Sequence, residues 1–277
     1  MRGVRGRVLT AACAALAALT AVAGCSGGMA GGTSAAADSL LRQIQQRGVL
    51  RVADCLSFAP FGFYNKSGQP EGYDVDIAKE MATDLGVKLK MVDTTSDDRI
   101  PNLQTGKVDV VICNFTENTE RAKQIAFTDP YVVAGETLLV KKSSGIRGIS
   151  GLSGKTVATV KGSTDSQLVS QLNPRAKVQE YDTSAAAVLA VKQGQSDAMI
   201  EDSNFQAYQA KINPDLTVTH DSLVPLEYNG FGVKQGDQVW LNWLNQFLFQ
   251  LNTSGQNATL YKKWFGVAPR YPLRPSY

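Results

Sequence analysis

Two charged residues in this chain stand where recognition chemistry would place them. Arg121 closes the stretch Thr116-Glu117-Asn118-Thr119-Glu120-Arg121, just past an apolar run at 108–113 that reads as a buried strand. Asp202 follows a second strand-like run at 198–201. A guanidinium at a turn that opens a helix offers a carboxylate a fork of donors together with free backbone N–H groups. An acid at the end of a strand in an open α/β sheet lies where such sheets hold their ligands, and it suits an ammonium. The pair fits a molecule carrying both charges in a dry cleft, as a free α-amino acid does. Thr116 would add a hydroxyl and Asn114 a backbone contact. Each charge also has an ordinary use. Arg121 could pair with Glu117 or Glu120; Asp202 could cap the helix from 204 onward, and its neighbour Glu201 competes for the same ligand role.

Other chemistries find little to work with. His220 is the single histidine and sits in a polar stretch, which reads as surface. There is no Cys-x-x-Cys pair, so a metal would have to rely on carboxylates, and no metal or cofactor is expected. A nucleophile elbow, a P-loop and a dinucleotide glycine fingerprint are all absent. The formal charge of +3 includes Arg2, Arg5 and Arg7, which precede an uncharged apolar run at 8–22. That run is short for a membrane span, so 1–24 reads as a signal to be cleaved. Val22-Ala23-Gly24-Cys25 resembles a bacterial lipoprotein box, which would make Cys25 the lipidated first residue. Residues 25–38, small and nearly featureless, then read as a flexible tether. Without the three arginines the chain balances 25 bases against 25 acids, and no basic cluster points to nucleic acid.

The remainder alternates helix-like and strand-like segments. The first half reads as helix 41–47, strand 49–53, helix 74–84, strand 87–92, short helix 100–104 and strand 108–113. A second round begins at 156, with strands at 156–160, 177–181 and 198–201 and helices at 165–172, 184–193 and 204–211. The segment 228–234 is apolar enough to return to the first half, and helical spacing of Trp240, Trp243, Leu244, Phe247 and Leu251 closes the chain as packing. The pattern implies two α/β lobes of similar plan.

Five stretches, in this order and spacing, resemble the type II solute-binding proteins (family 3) of polar amino-acid ABC importers. They are Leu50-Arg51-Val52 with Phe58-Ala59-Pro60-Phe61; Gly72-Tyr73-Asp74-Val75-Asp76-Ile77-Ala78; Asp98-Arg99-Ile100-Pro101-Asn102-Leu103-Gln104-Thr105-Gly106; 109–121 with Phe127-Thr128-Asp129-Pro130-Tyr131; and Lys262-Lys263-Trp264-Phe265-Gly266. The resemblance spans 50–266 and implies two Rossmann-like lobes joined by two crossing strands, near 131–140 and 228–234, with the ligand in the cleft between them. It divides the chain into a first lobe of 39–134 and 232–277 and a second of 135–231. It also implies a monomer, not an enzyme, that is exported, held at the outer face of the cell membrane or in a periplasm, and that hands a free amino acid to an ABC permease.

On this pattern Arg121 and Asp202 match the residues that take the ligand's two charges, and Lys161, Ser163 and Thr164 match second-lobe contacts. Asp165 stands where a small residue is common. Phe58 matches an aromatic that covers the ligand, with core packing as its other use. Arg99 resembles the residue that meets the distal carboxylate in aspartate- and glutamate-binding members, unless it pairs with Asp97 or Asp98. Glutamine, asparagine and cystine are the other polar ligands of such a site. The family places Cys55 and Cys113 at the ends of neighbouring first-lobe strands, so a disulfide between them is expected, with two buried thiols as the alternative. Some cyclohexadienyl dehydratases share this architecture; on that reading Glu201 would be the general acid.

Overall fold

The structure, a computed structural model, describes residues 39–219, 223–271 and 273. The signal segment, the tether with Cys25, and His220 lie outside the described residues. Helix α1 (Leu40–Arg47) is capped by the Ser39 hydroxyl and stopped by Gly48, whose φ of 67° is left-handed. Then come β1 (Val49–Asp54) and three short strands, β2 (Ser57–Phe58), β3 (Gly62–Tyr64) and β4 (Pro70–Glu71), which form a small antiparallel sheet of their own. The first lobe continues with α2 (Tyr73–Asp84), β5 (Lys88–Asp93), α3 (Arg99–Gln104), β6 (Val110–Thr116), the single turn α4 (Thr119–Ala122) and β7 (Ala126–Ala134). After Gly135 the second lobe is β8 (Glu136–Lys141), β9 (Thr156–Val160), α5 (Asp165–Leu172), β10 (Lys177–Tyr181), α6 (Ser184–Gln193), β11 (Ala198–Asp202), α7 (Ser203–Ile212) and β12 (Leu216–Val218). The chain returns through β13 (Glu227–Val233) and ends in α8 (Gln238–Thr253) and α9 (Gln256–Phe265).

The first sheet has the order β5-β1-β6-β13-β7, and the second β10-β9-β11-β8-β12. In the first, β1 runs parallel to β5 and β6, while β13 is antiparallel to β6 and β7. In the second, β9 is parallel to β10 and β11, while β8 is antiparallel to β11 and β12. The fold is therefore the expected two α/β lobes. The strand ends of β1, β6, β9 and β11 carry the residues of the cleft, as the rule for open parallel sheets requires.

The near-continuous apolar strand β6 owes its place to burial on both faces: Val110, Val111, Ile112 and Phe115 are at most 1% exposed. Helix α8 buries Trp240, Leu244, Phe247 and Leu251, and the Trp240 indole N–H donates to the Asp109 carbonyl at 3.1 Å. Each buried side chain of this size contributes about 1.5–3 kcal/mol.

Candidate functional site

Between the lobes lies a cleft. Cys55, Phe58, Arg99, Cys113, Asn114, Thr116 and Arg121 line it from the first lobe; Glu136, Ser163, Thr164, Asp165, Glu201 and Asp202 line it from the second. Lys161 is the exception among the residues singled out from sequence. Its ammonium is half-exposed and lies 2.6 Å from Asp182, and it does not line the cleft.

Neither arginine is spent on the ion pairs that sequence left open. Arg121 donates to the Thr116 carbonyl at 2.7 Å and to the Gly162 carbonyl at 2.9 Å, while Glu120 pairs instead with Lys123 at 2.8 Å. Asn118 fixes the start of α4 by accepting from the Arg121 backbone N–H at 2.8 Å. Arg99 donates to the carbonyls of Ser96, Cys113 and Gly162 at 2.9–3.1 Å, so three of its five N–H groups are used and none meets a carboxylate. Both guanidinium groups lie over the Phe115 ring, at 4.2 and 5.0 Å. Burial first, then the neighbouring Arg121, pulls Arg99 well below the ordinary arginine range.

Gly162 joins the lobes. Its carbonyl accepts from both arginines, and a Cβ in its place would sit 2.6 Å from the Asp97 Cα. Only glycine permits that approach, and its φ of 75° is left-handed as well.

Asp202 occupies the N-cap position of α7 but makes no capping bond. Its Oδ2 accepts instead from the side-chain amides of Asn114, across the cleft, and of Asn229, at 3.4 Å. Asn114 therefore contributes its side chain, where sequence suggested its backbone, and it does so from within β6 with a left-handed φ of 40°. Glu201 accepts from the Asp202 backbone N–H at 3.2 Å and from the Ser184 hydroxyl at 3.4 Å. Burial pushes Asp165 up to about 7 and raises Glu201 and Glu136 well above the usual carboxylate range, and neighbouring acids add to each. Phe58 lines the cleft and packs in the core as well, stacking on Phe205 of the second lobe with ring centres 4.3 Å apart. Cys55 and Cys113 are joined in a disulfide with Cα atoms 5.2 Å apart.

Sequence reasoning missed Glu136 and Gly162. Glu136 opens an apolar strand, where a solvated start was the simplest reading; Gly162 was one glycine among 25.

The whole arrangement can hold a small zwitterion with cations on one side and acids on the other. The family model for bacterial extracellular solute-binding proteins, family 3, matches residues 50–267. The chain belongs to that family, the solute-binding components of amino-acid importers. Over 214 residues it is 37% identical to the ABC transporter glutamine-binding protein GlnH of Bacillus subtilis, covering 76% of this chain and 78% of that one. The crystal structure of the ancestral amino acid-binding protein AncCDT-1, a precursor of cyclohexadienyl dehydratase, superposes with a TM-score of 0.78 at 41% identity, covering 82% of this chain and all of that one. A mutant of ArgBP from T. maritima gives 0.77 at 39%, covering 82% and 99%.

Proposed function

We propose that the chain captures a free acidic amino acid, glutamate or aspartate, between its lobes and presents it to an ABC permease while a lipid on Cys25 holds it at the membrane. The lobes are taken as 39–134 with 232–277, and 135–231. Arg121 and the N–H groups of its turn take the α-carboxylate, with Thr116, Ser163 and Thr164 as hydroxyl partners; Asp202 takes the ammonium; Phe58 covers the ligand. The observation that carries the acidic side chain is Arg99: a buried cation on the cleft wall with two N–H groups unused and no carboxylate of its own. An anion entering there relieves the electrostatic cost of burying it. The raised carboxyls opposite do not forbid such a ligand, because Glu136, Asp165 and Glu201 are all pushed toward the neutral form.

Calorimetry with glutamate, aspartate, glutamine, asparagine, cystine and arginine tests the reading. An acidic amino acid is expected to bind at least about tenfold, or about 1.4 kcal/mol, tighter than its amide, and Arg99→Ala should erase that preference. Equal binding of the amide would leave the second reading, glutamine, which the likeness to the glutamine-binding protein favours. An enzymatic use of Glu201 is the third; it predicts turnover of prephenate or arogenate by the purified protein, and none is expected.

A further inference from the structure

At the back of the cleft three carboxyl groups from three strands converge. Glu136 opens β8, Asp202 ends β11 and Glu227 opens β13, and one oxygen of each lies within 4.8 Å of the other two. Glu136 and Asp202 are each 2% exposed. Among the described residues Glu136 Oε2 and Glu227 Oε2 are buried with no N–H or hydroxyl donor and no lysine or arginine forms an ion pair with any of the three, while Glu136 is within hydrogen-bonding reach of both other acids once one of them holds a proton. Three acids this close and this dry cannot all stay ionised; something positive must be shared among them.

A neutral side chain points to what that is when the site is filled. Asn114 is 7% exposed and lines the cleft; its Nδ2 donates to Asp202, while its Oδ1 has no partner. Glu136 lines the same cleft. Asp202, Glu136 and Asn114 thus bring three acceptor-bearing side chains to one cleft, two of them with a buried oxygen that meets no donor, which suits a cation with several N–H bonds and is more than a single anchoring carboxylate needs.

We propose that Glu136, backed by Glu227, is a second anionic partner of the ligand's ammonium, and that a proton shared among Glu136, Asp202 and Glu227 leaves as the ammonium enters. The inference rests on the reading that Asp202 faces the ammonium. The exchange balances: a carboxyl O–H breaks, its proton goes to solvent, and the carboxylate left behind pairs with the ligand's –NH3+. Burial raises all three groups. Around them Asp165 and Glu201 favour keeping the proton, while Arg99 acting on Asp202 and Arg121 acting on Glu227 oppose it; Tyr261 also feels Asp202. Because ligand and proton compete, affinity should fall as pH falls, by up to about tenfold per pH unit for one displaced proton.

The test is calorimetric titration of the purified protein with glutamate and with glutamine at neutral pH, in phosphate and in Tris, whose ionisation heats differ. Heats that differ by the buffers' ionisation would report release of about half to one proton per ligand bound. Glu136→Gln should bind more weakly, release almost none and lose the pH slope; Glu227→Gln should show the same loss of release if the first variant fails to fold. Binding with buffer-independent heat would overturn the exchange and leave the amino-acid reading intact. Release that persists in both variants would move the proton to Asp165 or Glu201 and also overturn it. So would affinity lost to EDTA and restored by calcium or magnesium, which would make the cluster a metal site. No binding of any amino acid would sink this inference and the reading beneath it together.

Discussion

From the first lobe, the charged side chains on the cleft wall are the guanidinium groups of Arg99 and Arg121; from the second they are the carboxyls of Glu136, Asp165, Asp182, Glu201 and Asp202, of which Asp182 pairs with Lys161. Yet each lobe ends one of its parallel strands in an aspartate, though not the equivalent strand, since β1 is second in its sheet and β11 third. Asp54 closes β1 as Asp202 closes β11. Asp54 turns inward: Oδ1 accepts from the Cys55 backbone N–H at 2.7 Å, Oδ2 has no partner, and the side chain does not line the cleft. It is packed so closely that a Cβ on Gly62 would lie 2.2 Å from Oδ2. The same residue type at the end of a parallel strand is thus hidden in one lobe and presented in the other. The two walls differ in sign because the first lobe turns Asp54 away from the cleft while Arg99 and Arg121 line it. On the proposed function a zwitterion would have one orientation in which both ends are matched, neither wall alone would hold it, and binding and closure would be one event.

The largest expected effect removes one sign of this contrast. Arg121→Ala or Asp202→Ala leaves one charge of the ligand unpaired in a desolvated cleft, which costs roughly 2–5 kcal/mol, or about one to four decades in affinity. An affinity within threefold of wild type, read by calorimetry, would show that the wall concerned is not the one that grips. Amines without a carboxylate and acids without an ammonium should both fail to bind, which sharpens the claim that the two walls act together.

Next comes the link that pins the cationic wall. The disulfide joins the end of β1 to β6 just before Asn114, and the Cys113 carbonyl accepts from Arg99 at 3.1 Å. Closing a loop of 58 residues in sequence contributes about 2–4 kcal/mol. Reduction, or Cys55→Ser with Cys113→Ser, should lower the melting temperature by that measure and weaken ligand binding as well. An unchanged melting curve with two titratable thiols in untreated protein would remove the bond.

The contrast between the walls was only half legible in the sequence. Helices and strands were readable from periodicity, and β6 from its unbroken apolar run, because burial on both faces leaves that signature. Arg121 and Asp202 could be singled out because one comes a short turn after such a strand and the other ends a buried strand. Glu136 and the partnering of Asn114 with Asp202 were not, since both depend on residues 66 and 88 positions apart meeting at the junction of the lobes. Lys161 lay beside the right loop, yet a lysine has a long stem and Asp182 was within its reach, which spacing along the chain does not reveal.

The acids hidden in the first lobe predict a pH dependence of stability. Burial raises Asp54 from 3.8 to about 7, with Asp93 adding to the rise. Its folded value lies above its unfolded one, so the folded state holds the proton longer. Stability from this group is present below the unfolded value and is lost as pH climbs through the window to about 7. Asp54→Asn cannot lose that proton. Its melting temperature should therefore fall less than wild type's between pH 5 and pH 8; parallel curves would mean that Asp54 titrates normally. Asp165, raised to about 7 on the opposite wall, acts in the same direction and gives an independent check through Asp165→Asn.

The smallest expected effect concerns a cation whose engagement with the ligand would blur the contrast. Lys161 follows β9, on the acidic lobe, next to the Gly162 carbonyl that both arginines share. If its ammonium reached the ligand's carboxylate, the second lobe would bind both ends and the opposition of the walls would fail. The side chain instead stands in solvent and pairs with Asp182, which, with Asp97 and Glu180 nearby, raises its ordinary value. An exposed pair of this kind is screened by salt and contributes little. Lys161→Ala should leave affinity within about twofold of wild type at 0.15 M salt, while Lys161→Glu, adding an acid near the cleft mouth, should slow association of an anionic ligand at low salt and leave dissociation nearly unchanged. A tenfold loss in the alanine variant, or a loss carried by dissociation, would put a cation of the second lobe on the ligand and require the carboxylate to be gripped from both sides.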